Sequence, residues 1–302
     1  MKIAVAGAGA VGGYFGALLK KAGHDVVFLA RGKHLEAMKK SGLVVKTNDQ
    51  LLTIDGVFTD KIEDFADCEL ILFCVKSTDT ESTAEQIASL QNDRAVVLTL
   101  QNGVDNEEKL AQILGGKRLL SAATYLSSHV EEPGVIKHSG RAKLVIGALD
   151  ESLISFRDKV ADLFRQAEIF VKTTDDIMLD KWKKLLWNAT FNPLAALSKA
   201  TVGEIMEHKE LRKTAENACR EVMQVANKIG IPLDEEMFHR TFANSGAALK
   251  HKPSMLQDRL KGKRMEIESL CGFIVKKGRQ IGVETPVLQT LYSNLLFLET
   301  HR

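Results

Sequence analysis

The stretch "KIAVAGAGAVGGYFGALL" (residues 2–19) decides the fold. A short apolar run reads as a buried strand, passes through Gly7, Gly9 and Gly12 in the spacing G-x-G-x-x-G, and opens into a helix. The first glycine allows a tight turn, the second lets an anion approach the backbone, and the third lets helix and strand pack closely. The helix start adds free N–H groups and the positive end of its dipole. Gly7, Ala8, Gly9, Ala10, Val11 and Gly12 are therefore the candidate cradle for a dinucleotide pyrophosphate.

Working outward, "DVVFLA" (25–30), "LILFCV" (70–75), "AVVLTL" (95–100) and "RLLSAATYL" (118–126) are apolar without strict alternation. Strands buried on both faces look like this, which predicts a parallel sheet flanked by helices. "LVVKTNDQLLTIDGVF" (43–58) alternates more tightly around "TNDQ" and predicts a hairpin at the sheet edge, and "GVIKHSGRAKLVIG" (134–147) a further antiparallel addition. After about residue 174 the β pattern stops. Helical segments follow, with breaks expected at Gly203, 230–232, 252–254 and 284–286. The expected fold class is α/β: a Rossmann-like dinucleotide-binding domain (1–174), then an all-helical domain (175–302), with a cleft between them as the default ligand site.

Composition narrows the class. Apolar residues are 45% and charged residues 26%, the balance of a soluble globular protein, and a net charge of +2 gives no general attraction for nucleic acid or an anionic membrane. The four cysteines form no C-x-x-C pair and have no histidine at ligand spacing, so reduced thiols and no metal site are expected. Glycine arrives at residue 7, too early for a secretory core, and no apolar run reaches the ~18 residues of a membrane span. A cytoplasmic location is expected. No heptad pattern specifies an oligomer, so a homodimer stays open.

An NAD site ends its second strand in Asp or Glu for the ribose 2′-hydroxyl; here "DVVFLA" is followed by Arg31, Gly32, Lys33 and His34. A cation there suits a 2′-phosphate, which favours NADPH. Lys76, after "LILFCV", either reaches the same phosphate or is a solvated strand-end cation. Asn102 in "LQNGVDN" follows another strand, where open α/β sheets bind ligands, although Asn-Gly is also a common turn.

In "WKKLLWNATFNPLAAL" (182–197), Lys184, Asn188 and Asn192 fall at i, i+4 and i+8, within about 80° of arc on a helix. Trp182, Leu185, Leu186, Trp187, Ala189 and Phe191 make the rest apolar, so burial is expected, with Lys181 at the solvent end of the polar stripe. Buried amides and ammoniums need partners, and a polar ligand would supply them. Pro193 disfavours α geometry at Asn192 and predicts a kink there. Farther on, Ser254 and Gln257 match a capping box whose serine also suits a carboxylate ligand. Glu266 is expected on one helical face with Leu270, Phe273 and Ile274, either paired with Lys184 or turned to water.

Together, "GAGAVG", "CVKSTDT", "LQNG", "KLLWNATFNPLAAL" and "SMLQDRLKGKRMEIE" resemble the ketopantoate reductase (2-dehydropantoate 2-reductase) family over essentially the whole chain. The resemblance implies NADPH-dependent reduction of a small 2-keto acid, a step toward pantothenate. It implies Lys184 as proton donor, Glu266 at the cofactor and active-site end, and Asn102, Asn188, Asn192 and Ser254 as substrate contacts. Asn102 and Glu266 also lie near the cofactor, and Arg31 and Lys76 read its 2′-phosphate. Val202, Pro253 and Thr78 depart from frequent family residues, which bears on the pocket's shape. Rivals are a sibling reductase of a branched or aromatic 2-keto acid, a 3-hydroxyacid dehydrogenase using the same lysine, and a non-catalytic NADP(H) sensor. A sensor needs no Lys184, Asn188, Asn192, Ser254 and Glu266 together.

Overall fold

A computed structural model describes residues 1–243 and 250–301. The chain divides into two compact units: Met1–Gln101 with Asn106–Ile177, and Asn102–Asp105 with Met178–Arg302.

The first unit is built on a ten-stranded sheet. Its strands are β1 (Lys2–Ala6), β2 (Asp25–Leu29), β3 (Leu43–Lys46), β4 (Leu51–Ile54), β5 (Val57–Thr59), β6 (Leu70–Phe73), β7 (Val96–Thr99), β8 (Leu119–Glu132), β9 (Val135–Ala148) and β10 (Phe170–Thr174). They lie in the order β4-β3-β9-β8-β7-β6-β1-β2-β5, with β10 also paired to β9. From β8 through β6 and β1 to β5 every pairing is parallel. The helices are α1 (Ala10–Lys21), α2 (Gly32–Ser41), α3 (Thr80–Ser89), α4 (Asn106–Leu114) and α5 (Ile154–Gln166). Apolar residues of α1 and α5 join one core cluster and those of α3 and α4 another, so β1, β6 and β7 are covered on both faces and carry uninterrupted apolar runs.

The expected hairpin is β3–β4, with Thr47 and Gln50 closing its turn, at one end of the sheet. Its last residues do not belong to it: Val57–Thr59 cross to the opposite end and pair with β2 in parallel. The segment around 134–147 is the antiparallel partner of β8, as one long strand. β10 was not legible, because three of the five residues of "FVKTT" are polar and short parallel edge strands carry little pattern.

The second unit is helical: α6 (Ile177–Ser198), α7 (Val202–Glu207), α8 (Lys209–Lys228), α9 (Glu235–Phe242), α10 (Ser254–Leu260), α11 (Phe273–Ile281) and α12 (Pro286–Thr300). Trp182, Phe191, Val222, Ile274 and Leu288, all at most 2% exposed, share its core. One boundary differs from the sequence reading, and the preference set by Pro193 is overridden. The break expected at Gly203 falls earlier, at Lys199 in the left-handed region (φ 58°), and Thr201 with Glu204 forms a complete capping box that places Gly203 inside α7. In addition, α6 runs through Pro193 to Ser198. Pro193 removes one backbone donor, but the surrounding residues from Ala189 to Ala196 are all buried, and their packing holds the helix against the local preference.

Among the described residues, no helix is long and apolar enough to cross a membrane, and no group of three or more His, Cys, Asp or Glu could hold a metal ion.

Candidate active site

In the first unit, β1 lies between β2 and β6, so the sequence order of the sheet reverses at the strand that feeds the glycine loop. Ligands of open α/β sheets bind at such a switch point. Gly7 has φ +97°, and a Cβ there would meet Val75 N at 3.0 Å. Gly12 admits no side chain, since its Cβ would stand 2.3 Å from Gly7 O and 2.7 Å from Val5 Cγ1. Gly9, by contrast, faces open space and is the N-cap of α1 without a side-chain cap. No acidic residue occupies the first turn. Ala8 is buried, its N–H donating to Leu29 O at 2.8 Å, while Ala10 and Val11 are half-buried. An uncapped, acid-free helix start with room at Gly9 fits a pyrophosphate.

Arg31 and Lys76 leave from the ends of β2 and β6, the two strands flanking β1, and both are exposed. Arg31 donates to Asp79 Oδ2 at 2.7 Å, a partner 48 residues away that sequence reading missed. Asp79 lies in the turn after Lys76, beside the exposed Thr78. Exposed pairs of this kind contribute about 0–1 kcal/mol, so an anion can compete for the guanidinium.

Gln101 closes the first unit. Its amide donates to Val75 O at 3.0 Å and Thr80 Oγ1 at 2.8 Å, locking the ends of β6 and β7 together. It too escaped the sequence reading, since a buried glutamine is visible only through its partners.

In the second unit, Lys184 Nζ donates to Asn102 Oδ1 at 2.8 Å, across 82 residues of sequence. Asn102 is therefore more than a turn residue. The next residue, Gly103, has φ +86°, and a Cβ there would lie 2.7 Å from Ser269 O, so only glycine lets the loop pass this close. Along α6, Asn188 follows Lys184 by about 6 Å and Asn192 by about 12 Å at 1.5 Å per residue. Asn188 is half-buried and Asn192 is 2% exposed.

Lys181 corrects an expectation. It is 4% exposed and does not sit at a solvent end of the stripe. Its long apolar stem tolerates burial, which a helical wheel reads as surface. Burial is the main reason the Lys184 ammonium is depressed to a pKa of about 7; the Lys181 charge pushes it down further, and the Glu266 carboxylate pushes it back up.

Glu266 is half-buried and lies in coil, not on the expected helical face. α10 ends at Leu260, and a π-helical turn, Glu268–Gly272, begins only after Glu266. Ser254 is likewise displaced. It is the first residue of α10 and exposed, with Pro253 at the N-cap and no side-chain cap, and Gln257 turns its amide to Lys252 O instead. Pro253, already extended at ψ 154°, takes the capping position and shifts the helix start by one residue. Arg259 donates to the Ala196 and Leu197 carbonyls, the latter at 3.0 Å, which ties α10 to the C-terminal end of α6. Val202 is fully buried in the helical core.

The model of the family described as ketopantoate reductase PanE/ApbA matches residues 3–151, and that of its C-terminal domain residues 176–299. A 2-dehydropantoate 2-reductase of Archaeoglobus fulgidus is 32% identical over 295 residues, covering 96% of this chain and 95% of the relative. One of Pyrococcus abyssi is 33% identical over 290 residues, covering 95% and 94%. The crystal structure of a PanE/ApbA family ketopantoate reductase from Ralstonia eutropha JMP134 superposes with a TM-score of 0.93 at 31% identity, covering 100% of this chain and 99% of that one. D-mandelate dehydrogenase with NADH and anilino(oxo)acetate gives the same TM-score at 26% identity, with the same coverage. With both halves of the family matched in order and full-length relatives above 30% identity, the chain belongs to the ketopantoate reductase family, on a Rossmann-like domain followed by a helical one.

Proposed function

We propose that this protein reduces 2-dehydropantoate to pantoate with NADPH, a step of pantothenate biosynthesis, with residues 1–174 holding the dinucleotide and 175–302 the keto acid. The observation that carries this reading is Lys184: an ammonium with a pKa of about 7, its Nζ held by Asn102 Oδ1 at 2.8 Å. A proton donor works best when its pKa lies near the working pH.

When bound, reduced nicotinamide supplies the hydride for a keto carbonyl. Negative charge then develops on the carbonyl oxygen. Lys184 stabilises that charge and delivers a proton to it; a donor so placed is worth about 10² to 10³ in rate. Asn102 fixes the direction of the ammonium. Asn188 and Asn192 orient the substrate along α6, and the Ser254 hydroxyl takes its carboxylate end. Glu266 keeps part of the Lys184 population protonated. Gly7 to Gly12 receive the pyrophosphate; Arg31, where an NAD site places a carboxylate, receives the 2′-phosphate together with Lys76 from the end of β6.

The likeness to D-mandelate dehydrogenase favours a second reading, reduction of an aromatic 2-keto acid on the same machinery. Steady-state oxidation of NADPH and NADH with 2-dehydropantoate, 2-ketoisovalerate and phenylglyoxylate separates the two. The first reading predicts the highest kcat/KM for 2-dehydropantoate with NADPH; a preference for phenylglyoxylate would replace it with the second.

A further inference from the structure

His34 stands in the first turn of α2 with both ring nitrogens engaged. The Gly134 backbone N–H reaches Nδ1 at 2.9 Å, and Nε2 lies 2.8 Å from Ala8 O. A backbone N–H can only donate, so Nδ1 must be an unprotonated acceptor, and Nε2 then carries the proton it gives to Ala8 O. Gly134 lies between β8 and β9, and its own carbonyl accepts the Val44 N–H at 2.9 Å. The imidazole thus joins the glycine loop to a turn that the sheet holds in place. A second contact works the same way: Ser128 of β8 donates through Oγ to Ala10 O at 3.0 Å.

The peptide unit is planar and trans, so the C=O of one residue and the N–H of the next point to opposite sides. Pinning Ala8 O therefore sets the direction of the Gly9 N–H, and pinning Ala10 O sets that of the Val11 N–H. These are the donors a helix start offers to an anion. The space a Cβ would fill at Gly9 is open, so packing there does not restrain the Ala8–Gly9 plane, whereas Ala10 and Val11 already belong to α1 and Ser128 adds to what the helix sets.

We propose that His34 is a positioning residue for dinucleotide binding: a neutral imidazole protonated at Nε2 that holds the Ala8–Gly9 peptide plane with its N–H on the side opposite the ring. Ser128 braces the Ala10–Val11 plane in the same manner. The inference rests on the reading of Gly7 to Gly12 as a dinucleotide site. It adds to the phosphate-binding apparatus two side chains that need not touch the ligand and that lie 26 and 118 residues from the carbonyls they hold.

The test is fluorescence titration with NADPH of the wild-type protein, His34→Phe, which keeps ring bulk without either nitrogen, and His34→Gln, whose amide can still donate to Ala8 O. His34→Phe should weaken binding about tenfold, the effect of losing a preorganised donor direction. His34→Gln should recover binding to within about threefold of wild type, and kcat at saturating NADPH should stay within about twofold for both, a split that general destabilisation would not produce. Equal affinity of wild type and His34→Phe would overturn the inference while leaving the dinucleotide reading intact. Wild-type protein binding neither NADPH nor NADH would overturn that reading and the inference with it. Where a variant does not fold, ¹⁵N-histidine NMR of the wild type decides: an unprotonated Nδ1 on His34 is required, and a protonated Nδ1 refutes the assignment.

Discussion

Replacing Lys181 by methionine should move the pH profile of carbonyl reduction upward. Lys181 and Lys184 stand three residues apart on one helix, where Cβ atoms are about 5–6 Å apart. Two like charges about 6 Å apart at an effective dielectric near 20 repel by about 3 kcal/mol. One pKa unit corresponds to 1.36 kcal/mol, so about two pH units is the ceiling, and about one is expected once the ammonium ends diverge. Burial remains the larger cause of the depression to about 7, so the variant should not recover the ordinary lysine range. The sign follows from the proton donor's role. In the proposed mechanism reduction needs the ammonium, so kcat/KM should be flat below the Lys184 pKa and fall about tenfold per pH unit above it. At about 1.5 pH units above the wild-type midpoint, the variant should run about eightfold faster relative to its own acid plateau. The assay is kcat/KM for NADPH oxidation with 2-dehydropantoate between pH 5.5 and 10, with a melting curve to show that Lys181→Met is folded. A folded variant whose midpoint is unmoved or lower would refute the coupling of the two lysines.

Glu266→Gln removes the charge that favours the ammonium, so the same midpoint should move below its wild-type position near 7 and activity at neutral pH should drop; an upward shift in the pH profile contradicts the assignment. Arg31→Ala should raise KM for NADPH about tenfold or more and change KM for NADH by less than about threefold, since only the 2′-phosphate distinguishes them. Equal effects on both would mean that Arg31 does not read that phosphate.

Much of the architecture was legible because it is periodic. Doubly buried strands betray themselves by continuous Val, Ile and Leu, the glycine spacing reports a close backbone approach, and α6 announces itself through a largely apolar surface crossed by the stripe of Lys184, Asn188 and Asn192. What could not be read depends on partners far along the chain. Nothing near Asn102 says that its amide meets a lysine 82 residues away, and nothing near Arg31 reveals Asp79. A local pattern places Lys181 at the surface because it counts the charge and ignores the apolar stem. Ser254 and Glu266 lie at other backbone positions than the local pattern predicts: Pro253 takes the cap, and coil separates α10 from the π-helical turn. A local rule that competes with tertiary packing loses, as Pro193 does inside α6.

The central claim is that Lys184 gives the proton while other residues hold the dinucleotide. It is tested most directly by Lys184→Ala, measured both for NADPH binding by titration and for turnover with saturating 2-dehydropantoate. The account predicts an NADPH dissociation constant within about threefold of wild type and a kcat lower by about 10² to 10³ or more. Turnover within about fivefold of wild type, in a variant that binds NADPH normally, would contradict it.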